Sequence, residues 1–230
     1  MSLRLLSANL RFGKAEPEAF AELVRATRAE VVAVQELGPA QADALGRLLP
    51  HGHLEPRRDA LGMGIALARP ARLARIPLGW RDAHAALLDP AQWPSLAVPL
   101  EVLNLHLRNP LVPSWRRARR AQLRGMLAHL DASPARPRVL VGDLNATPLW
   151  PAYRRLAARL DDLALRHAAR GGRRPARTWP RGPLRLRALR IDHCLARGCE
   201  VLDASVHELP GSDHCALFVE LAVRGPGGRV

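Results

Sequence analysis

Apolar residues fall along the chain in two patterns: short continuous runs, and longer stretches in which they recur every three or four positions. The short runs predict buried β-strands, and the longer stretches predict amphipathic helices. The predicted strands are residues 3–10, 31–35, 62–68, 73–78, 100–107, 139–141, 191–196, 200–208 and 216–223. The predicted helices are residues 17–29, 39–49, 114–130 and 151–160, with Ser114 as the N-cap of the third. This mixture indicates an α/β protein.

Two stretches fit neither pattern. Residues 83–99 contain three prolines and define no clear element. Residues 166–190 carry nine arginines together with glycine and proline, which predicts a long surface loop with a short strand near Leu184. The chain has no internal repeat and no interdomain linker. We therefore predict one domain over residues 1–224 and a flexible glycine-rich tail over residues 225–230.

Composition narrows the class of protein. With 48% hydrophobic residues the chain can bury a sizeable core. No apolar run reaches the roughly 18 residues of a membrane span, and the N-terminus has the pattern of a strand rather than of a signal peptide. The three cysteines (Cys194, Cys199 and Cys215) cannot all pair with one another, which favours a reducing compartment. We therefore expect a cytoplasmic protein with no obligate protein partner.

The formal net charge of +14 indicates a polyanionic partner such as nucleic acid. Lys14 is the only lysine, however, and every other basic residue apart from histidine is arginine. A GC-rich genome would produce the same bias without any partner. The charge therefore supports nucleic-acid binding but does not establish it.

The segment that points most clearly to a functional site is residues 138–148, R-V-L-V-G-D-L-N-A-T-P. An apolar run ends at Gly142 and is followed by Asp143 and Asn145. Two positions apart in extended backbone, these side chains would share one face, with Leu144 pointing into the core. A carboxylate and an amide together suit Mg²⁺ or Mn²⁺ and a phosphate. The alternative is a turn that merely ends a strand.

Further polar residues stand at the ends or starts of other predicted strands. In a layered sheet protein such ends meet at one edge, where polar side chains are candidates for a site. The residues in these positions are Asn9, Glu36, His106, Asp143, Asn145, Asp192, Asp213 and His214.

Six segments around these residues resemble, in order, the motifs of the endonuclease/exonuclease/phosphatase superfamily of metal-dependent phosphoesterases. They are S-A-N-L-R at 7–11, V-Q-E-L at 34–37, N-L-H-L at 104–107, G-D-L-N-A-T-P at 142–148, R-I-D-H at 190–193 and G-S-D-H at 211–214. The resemblance, which extends to deoxyribonuclease I, implies a four-layer α/β/β/α sandwich of two mixed sheets with helices outside.

The resemblance also implies Mg²⁺ or Mn²⁺ as cofactor and a set of metal ligands. Glu36 is then the main metal ligand, with Asn9 and Asp213 near the same ion. Asp143 orients or deprotonates the attacking water, and Asn145 binds a phosphate oxygen or a second ion.

Two histidines complete the implied machinery. His214 acts as acid, base or phosphate stabiliser and is oriented by Asp192. His106 donates to the phosphate as negative charge builds in the transition state.

The predicted surface loop over residues 166–190, called the basic loop below, supplies candidates for substrate binding. They are chiefly Arg173, Arg174 and Arg177.

The chain departs from the apurinic endonucleases of the superfamily, because Arg11 stands where they carry an acidic residue and His106 where they carry tyrosine. A histidine at position 106 instead resembles the pattern of the deoxyribonuclease and sphingomyelinase branches of the superfamily. We expect a Mg²⁺- or Mn²⁺-dependent phosphodiesterase, with DNA as the favoured substrate. The alternatives are a phosphatase or phospholipid-type phosphodiesterase of the same superfamily, and a non-catalytic nucleic-acid-binding domain.

Three further features can each be interpreted as structural or as functional. Cys194, Cys199, Cys215 and His193 suggest zinc by residue type, but their spacing favours buried thiols and a packed histidine. The arginines of residues 115–120 either contact phosphates or form a solvated helix face. Trp179 either stacks on a base or lipid group or fastens the basic loop.

Overall fold

The computed structural model describes residues 2–180, 188–223 and 225, and two six-stranded sheets form its centre. The strands of the first sheet are β1 (Leu3–Asn9), β2 (Val31–Gln35), β3 (His51–Glu55), β4 (Met63–Leu67), β11 (Cys199–Glu208) and β12 (Cys215–Val223). Those of the second sheet are β5 (Arg72–Ile76), β6 (Ala83–Leu88), β7 (Leu100–Asn104), β8 (Arg138–Asp143), β9 (Asp161–Asp162) and β10 (Asp192–Arg197). Their spatial orders are β11-β12-β1-β2-β4-β3 and β5-β6-β7-β8-β10-β9.

The described helices are α1 (Pro17–Thr27), α2 (Pro39–Leu48), α3 (Arg116–Ala132), α4 (Pro151–Ala157) and α5 (Leu163–Arg170). Three apolar clusters separate the layers: one between the sheets, one between the first sheet and α1 with α2, and one between the second sheet and α3 with α4. This arrangement confirms the predicted four-layer sandwich. None of these helices is long and apolar enough to cross a membrane.

Burial on both faces explains why the central strands have continuous apolar sequences. In β1, Leu5 packs between the sheets while Leu6 packs under the helices. In β8, Val141 faces the other sheet and Leu140 faces the helix layer. Alternate apolar residues of one strand therefore enter different apolar clusters.

The strand directions bring the polar ends together. β1 and β2 are parallel, so Asn9 and Glu36 emerge at the same edge. β12 runs antiparallel to β1 and begins at that edge, immediately after His214. In the second sheet β10 runs antiparallel to β8, and Asp192 stands opposite Asp143 in the register. The expectation that these strand ends meet is confirmed.

Several elements differ from the prediction. β3 has an exposed, polar sequence without an apolar run, and β6 consists mainly of alanine and leucine and precedes the prolines that obscured it. α5 occupies the start of the predicted basic loop, where Asp162 caps it by accepting from the Leu165 N–H at 2.9 Å. Ser114 is not the N-cap of α3, because it lies in a 3₁₀ turn that precedes Arg116.

Two other predictions concern residues that the structure does not describe. The short strand near Leu184 lies outside the described residues. The same holds for the predicted tail beyond residue 225. Both stay predictions.

Candidate active site

A cleft of about 280 Å³ at the shared sheet edge collects most of the predicted site. It is lined by seven of the predicted residues: Asn9, Glu36, His106, Asp143, Asn145, Asp213 and His214. Asp192 does not line it but contacts His214, which does. The structure therefore brings together residues that are more than 200 positions apart in the chain.

Asn9 connects two carboxylates within the cleft. Its Nδ2 donates to Glu36 Oε1 at 3.3 Å and to Asp143 Oδ2 at 3.1 Å. Its Oδ1 accepts from the Arg11 N–H at 2.9 Å. Asn9 thus fixes the spacing of Glu36 and Asp143, one from each sheet.

Glu36 is held in an unusual backbone conformation at the end of β2. Its φ of +53° lies in the left-handed region, which non-glycine residues seldom occupy. The Phe12 N–H donates to Oε2 at 3.0 Å and fixes the carboxylate. Such strain is typical of functional positions, since the surrounding structure must hold the residue there.

The two carboxylates are largely withdrawn from water. Burial raises the pKa of Glu36 above its usual range, and the Asn9 hydrogen bond offsets only part of this effect. Burial likewise raises the pKa of Asp143, while the nearby His214 charge acts in the opposite direction. Oxygen-rich groups whose negative charge is this poorly solvated are suited to a hard divalent cation.

Asp213 supplies a third carboxylate at the more open side of the cleft. Its Oδ2 accepts from Trp179 Nε1 at 3.1 Å, and its Oδ1 lies 3.6 Å from Arg11 Nε. Trp179, which belongs to the basic loop, therefore contacts the cleft residue Asp213. Arg11 faces Asp213 at the position where apurinic endonucleases carry an acid.

His214 and Asp192 form a buried pair. His214 Nδ1 lies 3.0 Å from Asp192 Oδ2 and 3.2 Å from Oδ1, and the imidazole Nε2 lies 4.0 Å from Asp143 Oδ2. Burial lowers the pKa of His214, but the adjacent Asp192 charge and hydrogen bond outweigh burial and raise it. The carboxylate therefore fixes the ring orientation and favours its protonated form.

Asp143, Asp192 and His214 present ligand atoms within 4.8 Å of one another, which by spacing alone is a possible metal group. Because His214 and Asp192 already satisfy one another, the geometry fits a proton-handling pair better than a complete ligand set. The Glu36 carboxylate, which Asn9 bridges to Asp143, adds further oxygen atoms beside this group.

Asn145 does not lie in extended backbone. β8 ends at Asp143, and Asn145 has a φ of +44°. Its N–H donates to Asp143 Oδ1 at 2.7 Å, and its Nδ2 lies 3.1 Å from Asp143 Oδ2 and 3.0 Å from the Leu107 carbonyl. The two side chains therefore meet through an Asx-type turn rather than through strand alternation. Leu144 is buried as predicted.

His106 occupies the floor of the cleft just beyond β7. Its Nε2 lies 3.4 Å from Asp143 Oδ2 and 3.8 Å from Glu36 Oε1. Burial, reinforced by the Arg81 charge, lowers the pKa of His106 well below its usual value. The ring is therefore a neutral hydrogen-bonding group between two carboxylates.

Arg81 belongs to the cleft but was not predicted from the sequence. Its guanidinium is buried, and its Nη2 donates to the Ala60 carbonyl. Within the described part of the chain, its Nε and Nη1 have no hydrogen-bond partner. Burial lowers the pKa of Arg81 to about 10, with Glu36 and Asp143 opposing the shift. The group stays charged, and these two buried nitrogens lack hydrogen-bond partners among the described residues.

The arginines of residues 115–120 and those of the basic loop lie in different places. Arg119 is buried and donates to the Arg108 carbonyl and, at 3.1 Å, to the carbonyls of Leu144 and Asn145. It supports the turn that carries Asn145. The exposed Arg173 and Arg174 line a separate depression of about 170 Å³ that also includes Asp192.

Arg177 is exposed on the segment that leads to Trp179. None of the three predicted substrate-binding arginines lines the main cleft among the residues that the structure describes. Their predicted role in substrate binding stays a prediction.

Comparison with known proteins identifies the family. The sequence model of the protein family described as "Endonuclease/Exonuclease/phosphatase family" matches residues 6–214 of the chain. The chain belongs to this family. Its members are metal-dependent phosphoesterases, so the chain is a phosphoric ester hydrolase and the predicted superfamily is confirmed. No curated protein sequence matches the chain.

Solved structures share the family fold at low sequence identity. A functionally unknown conserved protein from Enterococcus faecalis V583 has a TM-score of 0.74 and 18% identity, covering 96% of this chain and all of that one. The human Nocturnin catalytic domain with bound sulfate has a TM-score of 0.71 and 19% identity, covering 96% and 94%. Humanized D. rerio TDP2 has a TM-score of 0.72 and 19% identity, covering 96% and 99%. At such identities the similarity establishes the fold only.

The zinc alternative gains no support from the family or from the packing. Cys194 and Cys215 lie in buried strands, as predicted, and these strands belong to different sheets. His193 is buried with its Nε2 2.8 Å from the Ala146 carbonyl, on the opposite face of β10 from Asp192. Burial raises the pKa of the Cys194 thiol well above its usual value.

Proposed function

We propose that the chain is a Mg²⁺- or Mn²⁺-dependent phosphodiesterase that hydrolyses nucleic acid, with DNA as the favoured substrate. The observation that carries this proposal is the grouping, around one cleft, of the buried Asp143, the half-buried Glu36, a histidine–aspartate pair and an arginine with two nitrogens that lack partners among the described residues. In the reaction water adds to phosphorus, one P–O ester bond breaks, and the leaving oxygen takes a proton.

Glu36 is the main metal ligand in this proposal, and Asn9 and Asp213 border the same position. The poorly solvated negative charge of the carboxylates supports the assignment, since a divalent cation compensates it. When bound, the cation neutralises charge on the phosphate and promotes attack by water. Asn9, whose amide nitrogen faces the carboxylates, keeps Glu36 and Asp143 at a fixed separation.

Asp143 receives the proton of the attacking water. The Asn145 N–H holds one carboxylate oxygen, so the other is oriented toward the cleft. In this proposal His106, Asn145 and Arg81, which all line the same cleft, donate to the phosphate oxygens. Fixed donors of this kind act mainly by stabilising charge that develops in the transition state.

His214 holds a proton at Nε2 for a phosphate oxygen or the leaving group. Asp192 supports this role by accepting from Nδ1, which fixes the tautomer and orientation of the ring. Asp192 also borders the depression that contains Arg173 and Arg174. These exposed arginines, with Arg177, are proposed contacts to the phosphates on either side of the cleaved bond.

A substrate panel tests the proposed function. Plasmid DNA, single-stranded DNA, RNA, abasic DNA, phosphoinositides and sphingomyelin are incubated with Mg²⁺, with Mn²⁺ and with chelator. The proposal predicts metal-dependent cleavage of DNA and weaker activity on the phospholipids and inositol phosphates. Robust turnover of a phospholipid or phosphomonoester without any cleavage of DNA would contradict it. The proposed cytoplasmic location is tested separately, by fractionation of cells that express the chain.

A further inference from the structure

Aromatic side chains are scarce in this chain but concentrated at the cleft. Only 4% of the residues are Phe, Trp or Tyr. Four of these side chains line the cleft: Phe12, Trp80, Trp115 and Trp179. Phe12 is 47% exposed and Trp80 is 37% exposed. Core packing does not account for rings that remain open to solvent, so their position at the cleft requires another explanation.

Trp80 and Trp115 are held together by an arginine. The guanidinium carbon of Arg108 lies 3.1 Å from the Trp80 ring centroid and 4.4 Å from that of Trp115. The Arg108 backbone is fixed as well, because its N–H donates to Gln122 Oε1 at 3.0 Å and its carbonyl accepts from Arg119. The result is a rigid wall of two indoles and one cation on one side of the cleft.

This wall is adjacent to a second arginine, Arg81. Arg81 follows Trp80 directly in the chain, and its guanidinium carbon lies 4.8 Å from the Trp80 ring centroid. The same guanidinium has two unpartnered nitrogens among the described residues. A partly exposed indole is therefore in contact with a guanidinium whose hydrogen bonds are incomplete among the described residues. This combination suits a ligand that carries a planar ring next to a phosphate.

Hydrolysis of a phosphodiester bond does not by itself require such a wall. An acyl chain would favour a purely apolar surface, whereas this one includes the charged Arg108 and adjoins Arg81. Nucleobases stack on indole and guanidinium planes alike, and aromatic platforms within basic grooves are typical of proteins that bind single strands. The bases of an intact duplex are stacked on one another and are not available to the wall.

We propose that Trp80, supported by Arg108 and Trp115, stacks on an unpaired base beside the phosphate that is cleaved, so that the preferred substrate is single-stranded nucleic acid or a frayed end. This inference rests on the proposed phosphodiesterase function and names the substrate class of the same cleft.

Two small substrates that differ only in the base test the inference. 2′-Deoxyadenosine 5′-(4-nitrophenyl phosphate) carries a base, and the corresponding 1,2-dideoxyribose 5-(4-nitrophenyl phosphate) carries none. With Mg²⁺ we expect kcat/KM to be about fivefold to a hundredfold higher for the first, the range that stacking of one base supplies. Trp80→Leu should reduce this ratio to near one, whereas Trp80→Phe should retain most of it because phenylalanine keeps an aromatic face.

Trp150→Leu is the matched control. It removes an indole that does not line the cleft and should preserve the ratio. A binding measurement independent of turnover and of metal accompanies the kinetics: 2′-deoxyadenosine 5′-monophosphate should quench indole fluorescence of the wild type more strongly than deoxyribose 5-phosphate does. This difference should disappear in Trp80→Leu.

The outcomes separate the inference from the proposed function. Equal kcat/KM for the two substrates, or a base preference that survives Trp80→Leu, overturns the stacking inference while the phosphodiesterase function stands. Failure of the wild type to hydrolyse either substrate with Mg²⁺ or Mn²⁺ contradicts the proposed function and the inference with it.

Discussion

Replacement of Asp162 by asparagine is expected to destabilise the fold strongly, because it removes the counter-charge of an arginine in the core. The side chains of Asp162 and Arg190 are both more than nine-tenths buried, and Arg190 Nη1 donates to Asp162 Oδ2 at 2.7 Å. The Tyr153 hydroxyl donates to the same oxygen at 2.7 Å. Arg190 stands two residues before Asp192, so this buried cluster also anchors the strand that orients His214.

The expected loss is about 3–5 kcal/mol, the range for removing one partner of a buried ion pair. For a chain of this size each kcal/mol corresponds to roughly 2–4 °C, so the melting temperature should fall by roughly 6–20 °C. Asp161→Asn is the matched control. Its carboxylate pairs with Arg166 Nη2 at 2.6 Å, but about half of each side chain is exposed, so the loss should be about 0–1 kcal/mol.

The effect of Asp162→Asn should depend on pH. Burial raises the pKa of Asp162, but the nearby His193 imidazole and Arg190 guanidinium outweigh burial and lower it below its usual value. A lowered folded-state pKa means that the unfolded chain binds the proton more tightly. The stabilisation is therefore present above the unfolded pKa of about 3.9 and is lost as the pH falls through the folded value.

Thermal unfolding followed by circular dichroism, from pH 7 down to pH 2, measures both effects. The difference in stability between wild type and Asp162→Asn should be largest near pH 7 and should shrink below about pH 4. A difference no larger than that of Asp161→Asn at pH 7, or one that grows as the pH falls, would refute the reasoning.

Three further predictions concern the site. Glu36→Gln should weaken Mg²⁺ binding in calorimetry without lowering the melting temperature, and unchanged affinity would show that Glu36 is not the ligand. His214→Ala and Asp192→Asn should each reduce turnover, with a double variant little worse than His214→Ala; additive losses would mean independent action. Alanine at three exposed arginines should flatten the slope of log K against log salt by about 0.7–0.9 per lost contact, and a salt-insensitive affinity would argue against phosphate contacts. These arginines are Arg173, Arg174 and Arg177.

Much of the fold followed from the sequence because the central strands are buried on both faces. Val139–Val141 reads as a continuous apolar run, since its residues pack against both the other sheet and the helix layer. β3 was not predicted, because an exposed edge strand needs no apolar side chains. α5 was not predicted either, because the arginines around it suggested a solvated loop.

The candidate site was predictable where each polar residue ends an apolar strand. Asn9, Glu36 and Asp143 fit this rule, because the sheet topology brings their ends to one edge. Arg81 does not, since it lies in a connection between strands and nothing in its local sequence indicates that it is buried beside the carboxylates. The left-handed conformation of Asn145 also escaped prediction, because the Asx-type turn that stabilises it depends on contacts with Asp143 and Leu107.

The central claim is that the cleft hydrolyses phosphodiester bonds with Asp143 as proton acceptor. The most direct test is the rate at which a fluorescently labelled single-stranded oligodeoxynucleotide is cleaved by the wild type and by Asp143→Asn, each with Mg²⁺ and with chelator. We expect cleavage by the wild type that stops with chelator, and a rate about 10²–10⁴-fold lower in a folded Asp143→Asn variant. Wild-type cleavage that persists in chelator, or an Asp143→Asn variant as fast as the wild type, would contradict the account.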